Sequence, residues 1–157
     1  MQRFLASPSL ILLIALSAAP AAAVPAPMTQ DELLAKSDLV ALVRVRSVTC
    51  TAVTKDERTG EDLPSYSADV ELIEVIKGDE AKGDNVTITF EAIPIGLLGP
   101  WTAYYYPGEM VWTHLVGKDG QYTTTWWNGR GDVVNQAVIT ELPAKPGGTV
   151  EIPKRGK

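Results

Sequence analysis

The stretch that most constrains this chain is residues 66–78, Y-S-A-D-V-E-L-I-E-V-I-K-G. Tyr66, Ala68, Val70 and Leu72 fall on one side of an extended backbone, and Ser67, Asp69 and Glu71 fall on the other. A repeat of two marks a half-buried strand, because successive side chains leave opposite faces. An amphipathic helix would need a stripe that Val70, Ile73 and Val75 do not hold, and the β-branched content favours a strand. From Ile73 the pattern changes: Ile73, Val75 and Ile76 are apolar and Glu74 breaks the inner face. A strand that passes from one-sided to two-sided burial bends around a barrel or from one sheet into another. Lys77-Gly78-Asp79 then turns the chain.

Residues 38–51 repeat this pattern in mirror order. Leu39, Ala41, Val43 and Val45 make one face, while Val40 and Leu42 share the other before Arg44 and Arg46 take it over. That is the expectation for an antiparallel neighbour of the 66–78 strand. Between them lies K-D-E-R-T-G-E-D-L-P-S, residues 55–65, whose charges alternate in sign. A binding loop is one reading. A solvated hairpin connection is the better one, because mixed charges solvate well and point at no particular ligand.

Downstream, residues 85–92 form a strand with Val86, Ile88 and Phe90 inside. Residues 110–117 form another, and Lys118-Asp119-Gly120 is a D-G hairpin turn into a partner over 121–127. A short strand is expected over 133–140, and 149–152 can add an edge strand within a tail, 143–157, whose composition commits to no order. Upstream, Thr29-Gln30-Asp31-Glu32 is a capping box that opens a short helix to about Ser37. The sum is an all-β fold with one short N-terminal helix. It predicts a small OB-like antiparallel barrel or sandwich of five to six strands, in one domain over 24–142.

The first 23 residues read as a secretory leader: Arg3, an apolar run densest at 10–16, and Ala21-Ala22-Ala23 before Val24. The run is short for a membrane span, so cleavage near Ala23-Val24 is expected, with no stable membrane insertion afterwards. The alanine-rich leader is of bacterial type, so the destination is periplasmic or secreted. The net charge is −5, and −6 once Arg3, the one charge before Val24, is removed. An acidic chain whose one basic concentration is Lys154-Arg155-Gly156-Lys157 at its end is a poor partner for nucleic acid. Cys50 is the single cysteine, so no intramolecular disulfide exists; it reads as a small buried residue.

The series S-D-L-V-A-L-V-R-V (37–45), Y-S-A-D-V-E-L-I-E-V-I-K-G-D (66–79), V-T-I-T-F (86–90) and P-G-E-M-V-W-T-H-L (107–115) resembles exported bacterial proteins related to the netrin-like module. That OB-type barrel also occurs in tissue inhibitors of metalloproteinases. The resemblance spans about residues 37–127 and implies the fold only. The inhibitors' N-terminal zinc-chelating cysteine and their disulfides have no counterpart here, so their mechanism carries over to no residue of this chain.

A search for chemistry is mostly negative. His114 is the single histidine and reads as structural, and no metal-ligand spacing, nucleophile elbow or phosphate-cradling glycine motif is present. No cofactor or metal is therefore expected. Asp69 with Glu71, and Glu61 with Asp62, are carboxylate pairs on solvated faces. Asn85-Val86-Thr87 and Arg130-Gly131-Asp132 read as coincidental motifs. The aromatic set carries the positive content. Trp101, Tyr104, Tyr105, Tyr106, Trp126 and Trp127 are the candidate ligand-binding residues, in and after the apolar, turn-rich segment 93–107. Adjacent Trp126 and Trp127 would face opposite sides of a strand. Alternatively, the segment folds over the barrel end and its rings plug it. The leading expectation is an exported, non-catalytic binding module for a protein or glycan partner. The alternatives are a hydrolase of envelope glycans, which needs two converging carboxylates, and a structural envelope protein without a small ligand.

Overall fold

The computed structural model describes residues 25–94, 102–135 and 139–152. The leader therefore lies outside the described residues. One helix, α1 (Gln30–Lys36), precedes seven strands among them: β1 (Leu39–Lys55), β2 (Asp62–Lys77), β3 (Asn85–Glu91), β4 (Met110–Lys118), β5 (Gln121–Thr124), β6 (Arg130–Val133) and β7 (Thr149–Glu151).

The helix begins where the capping box asks. The Glu32 amide donates to Thr29 Oγ1 at 3.2 Å, and the Thr29 amide donates to the Glu32 carboxylate at 2.8 Å. These reciprocal bonds satisfy donors that a first turn leaves open. They also hold the Glu32 carboxyl below its ordinary pKa, the Thr29 amide contributing most. Two turns bury Leu33, and the Ser37 hydroxyl closes the helix by donating to the Leu33 carbonyl at 2.6 Å.

The strands close into a ring. β1 pairs antiparallel with β2, and β2 with β3. β3 runs parallel to β5 from Thr87↔Gln121 to Thr89↔Thr123. β5 pairs antiparallel with β4, and β4 returns to β1 from Leu39↔Leu115 to Arg44↔Met110. The all-β expectation holds, with two corrections. The described residues hold seven strands where the sequence predicts five or six, and the sheet is mixed, because the β3–β5 pair is parallel. Short, sequence-distant pairings of this kind leave no local pattern to read.

Bulges let β1 and β2 curve around the ring. The pairs Val45↔Val70 and Ser47↔Asp69 leave Arg46 as an extra residue in β1, and Val43↔Leu72 with Leu42↔Glu74 leave Ile73 as an extra residue in β2. Each extra residue bends its strand and reverses its phase. Leu39, Ala41, Val43 and Val45 accordingly point inward before the bulge, and Val48 and Cys50 after it. The bulge at Ile73 lies where alternation fails in the sequence. At Arg46 β1 also changes its second neighbour: Leu39–Arg44 lies against β4, whereas Ser47, Val48 and Thr49 lie against β7. The tail region thus supplies an edge strand. The ladder reaches into both ends of the charged 55–65 stretch, at Lys55 and from Asp62 on, and leaves a turn of about 56–61.

β5 and β6 pair with successive parts of one edge of β4. Between them the chain leaves the sheet over 125–129, so the strand predicted over 121–127 stops at Thr124. Both ends of this excursion are tied to His114: the Thr125 amide donates to its carbonyl at 2.9 Å, and its amide donates to the Gly129 carbonyl at 2.8 Å. The strand predicted over 133–140 lies earlier, at Arg130–Val133, and residues 136–138 fall outside the described set.

Candidate binding cleft

The segment after residue 101 packs aromatic rings against the core inside the strand ring. Tyr105 is completely buried, and its hydroxyl lies 2.6 Å from Thr113 Oγ1 and 2.8 Å from Thr124 Oγ1. Burial raises its phenolic pKa above the ordinary value. Phe90 packs against Tyr66, Tyr104 and Tyr105 with ring centroids 5.1, 6.0 and 5.6 Å apart. Tyr105 is therefore a core residue and not part of a contact surface. Its neighbours Tyr104 and Tyr106 are half-buried and stack on each other at 6.4 Å. Trp101 lies outside the described residues.

The cleft arises from the parallel pair. β3 and β5 part after Thr89↔Thr123. From there β3 stays with β2 as far as Ser65↔Glu91, while β5 ends at Thr124 and the chain turns away through Trp126 and Trp127. The wedge between the diverging ends is an open cleft of about 460 Å³. Tyr66, Phe90, Trp126 and Trp127 give it aromatic walls, and Thr51, Ser65, Thr89, Thr102 and Thr123–Thr125 give it hydroxyls. Glu91 is the one charged side chain among the described residues lining it. Of the six predicted residues, the cleft brings together Trp126 and Trp127. Tyr66, Phe90 and the threonines were not singled out by sequence reasoning, since the first two read as ordinary inward positions and the threonines as ordinary strand residues.

Trp126 and Trp127 do not face opposite sides of a strand, because they occupy the 125–129 excursion and not the ladder. Both indoles reach the same partner segment. Trp126 Nε1 donates to the Ala26 carbonyl at 3.0 Å and Trp127 Nε1 to the Pro25 carbonyl at 3.2 Å. Asn128 adds two bonds to Met28, donating to its carbonyl at 2.8 Å and accepting from its amide at 3.2 Å.

A buried ion pair was also missed. Glu109 is 1% exposed, accepts from the Tyr106 amide at 3.0 Å and meets Arg130 Nη2 at 2.7 Å. Burial pushes its carboxyl above the ordinary range, opposed by the Tyr106 amide and the Arg130 guanidinium. The pair joins the turn before β4 to the start of β6, and it engages the arginine of the Arg130-Gly131-Asp132 tripeptide. The only sequence signal was an acid following Pro107-Gly108.

The remaining candidates have structural partners. His114 Nδ1 donates to the Gly129 carbonyl at 3.1 Å, the carbonyl already held by its own amide. Glu71 lies 3.2 Å from Arg46 and 3.7 Å from Arg44, and Asp62 lies 2.7 Å from Lys55. Cys50 is free and buried. Among the described residues no three His, Cys, Asp or Glu side chains gather as metal ligands would, and no helix is long and apolar enough to cross a membrane. Compared with protein-family models, curated proteins and solved structures, the chain shows no match.

Proposed function

We propose that this chain is an exported, non-catalytic binding module, of the netrin-like OB kind its sequence resembles, and that the cleft between β3 and β5 holds a neutral glycan. One observation carries the reading: among the described residues, aromatic walls and a dense set of hydroxyls meet in one cleft with a single charged group. Flat rings match the apolar faces of sugar rings, and threonine hydroxyls can donate to or accept from sugar hydroxyls. Among the described lining residues no basic side chain is present to give an anionic ligand a counter-charge. The export half rests on the leader-like sequence at 1–23, and the OB half on a five-strand ring closed through β1 and β4. A hydrolase reading needs two carboxylates in the cleft, where Glu91 is alone among the described lining residues.

The test is a titration of tryptophan fluorescence with neutral cell-envelope oligosaccharides in the presence of acrylamide. Protection from quenching that saturates is expected, weakened about tenfold or more in Thr89→Val/Thr123→Val. Both positions are exposed, so the double variant should fold normally. Quenching that no neutral oligosaccharide alters would sink the glycan reading.

A further inference from the structure

Residues 25–28, P-A-P-M, lie against the 126–128 turn. Their conformation follows from composition. Proline fixes φ near −65° at Pro25 and Pro27, and a following proline pushes Ala26 into the extended region. Thr29, which ends the segment, has φ −68° and ψ 164°. Thr29 thus lies in the polyproline-II region, and the prolines favour the same helix upstream, which repeats every three residues and makes no hydrogen bonds of its own.

Burial keeps that period. Pro25 and Met28, three apart, are half-buried, whereas Ala26 and Pro27 between them are exposed. The carbonyls of Pro25, Ala26 and Met28 are taken by Trp127, Trp126 and Asn128. Prolines offer only acceptors, and the indole N–H is a donor only, so the two chemistries match. All four bonds join side chains of the turn to main chain of the segment, three with the side chain as donor and one with the Met28 amide donating to Asn128. What is read is therefore a backbone shape, and no side chain of the segment is enclosed. Aromatic-lined recognition of preformed proline-rich strands follows the same physics, because little conformational entropy remains to be lost.

We infer that the Trp126-Trp127-Asn128 turn is a docking site for a proline-rich, extended peptide, and that residues 25–28 are its resident and exchangeable ligand. The site is distinct from the glycan cleft in what it binds, although Trp126 and Trp127 also line that cleft. It stands whether or not a glycan binds there.

The test follows the two indole N–H signals of Trp126 and Trp127 by NMR in the full chain, assigned with Trp→Phe variants. Deleting residues 25–28 should remove their protection from solvent exchange while core amides keep theirs. Adding the free peptide Val-Pro-Ala-Pro-Met should restore it with saturation, and Trp127→Phe, which keeps the ring and loses the donor, should weaken the peptide several-fold. Indole signals indifferent to the deletion, or a folded deletion variant that ignores the peptide at millimolar concentration, would overturn the inference. Should the deletion variant not fold, Pro25→Gly/Pro27→Gly tests it instead. Loss of the preformed helix should speed indole exchange by about tenfold, and unchanged exchange would again overturn it.

Discussion

Glu109 is the residue whose chemistry most exceeds its sequence signal. Its carboxylate is buried, held by one amide and one guanidinium. Removing one partner strands the other, so Glu109→Ala should destabilise the fold by about 3–5 kcal/mol in denaturant unfolding. The pH dependence has a definite sign. Its folded-state pKa lies above the unfolded value, so the native state holds the proton to higher pH. Stability from this group is fully present below the ordinary carboxylate range and declines as pH rises through the folded pKa. Glu109→Gln should flatten that decline, read as the midpoint of unfolding against pH. Tyr105 shows the limit of legibility from the other side. Three successive tyrosines could not all be core, but nothing in Tyr104-Tyr105-Tyr106 marks the middle one as the ring that meets Thr113 and Thr124. Burial of that kind depends on what the loop folds over.

At the scale of elements, what was legible was what is periodic or capped. The alternation of β1 to β4, the capping box of α1 and the D-G hairpin are all local, and all three appear where the residues put them. Asp119 and Gly120 take the left-handed conformations such a turn demands, with φ 54° and 74°. The parallel β3–β5 contact and the excursion at 125–129 are not local, so the cleft they create could not be read. That excursion depends on a close approach: a Cβ at Gly129 would lie 3.0 Å from Thr124 Cγ2 and the Trp126 carbonyl. The neighbouring hairpin is tighter still, since a Cβ at Gly117, where φ is 149°, would lie 2.1 Å from the Gln121 carbonyl. Gly117→Ala should therefore cost more than Gly129→Ala, by about 1–3 kcal/mol of backbone strain at the former, measured by thermal unfolding.

At the scale of the molecule, the core accounts for the lone cysteine. Cys50 is buried in the same cluster as Val48, Tyr66 and Ala68. A thiol reagent should label it only as the chain unfolds, and reductant should leave the melting temperature unchanged. Rapid labelling of the native protein would contradict this placement. The ring also sets the order in which the chain can become a folded protein. β1 is made early but stays without its second neighbours until β4 and then β7 arrive, the last pairing joining residues about 100 apart, as in Ser47↔Glu151. Contacts so remote in sequence exact loop-closure entropy before they return any stability, which places such topologies among the slow folders, in the millisecond-to-second range. Until the final strand docks, the outer half of β1 presents an unpaired edge to any other chain nearby. A chain shortened before Thr149 would keep that edge permanently, and its characteristic failure would be self-association, not loss of the core.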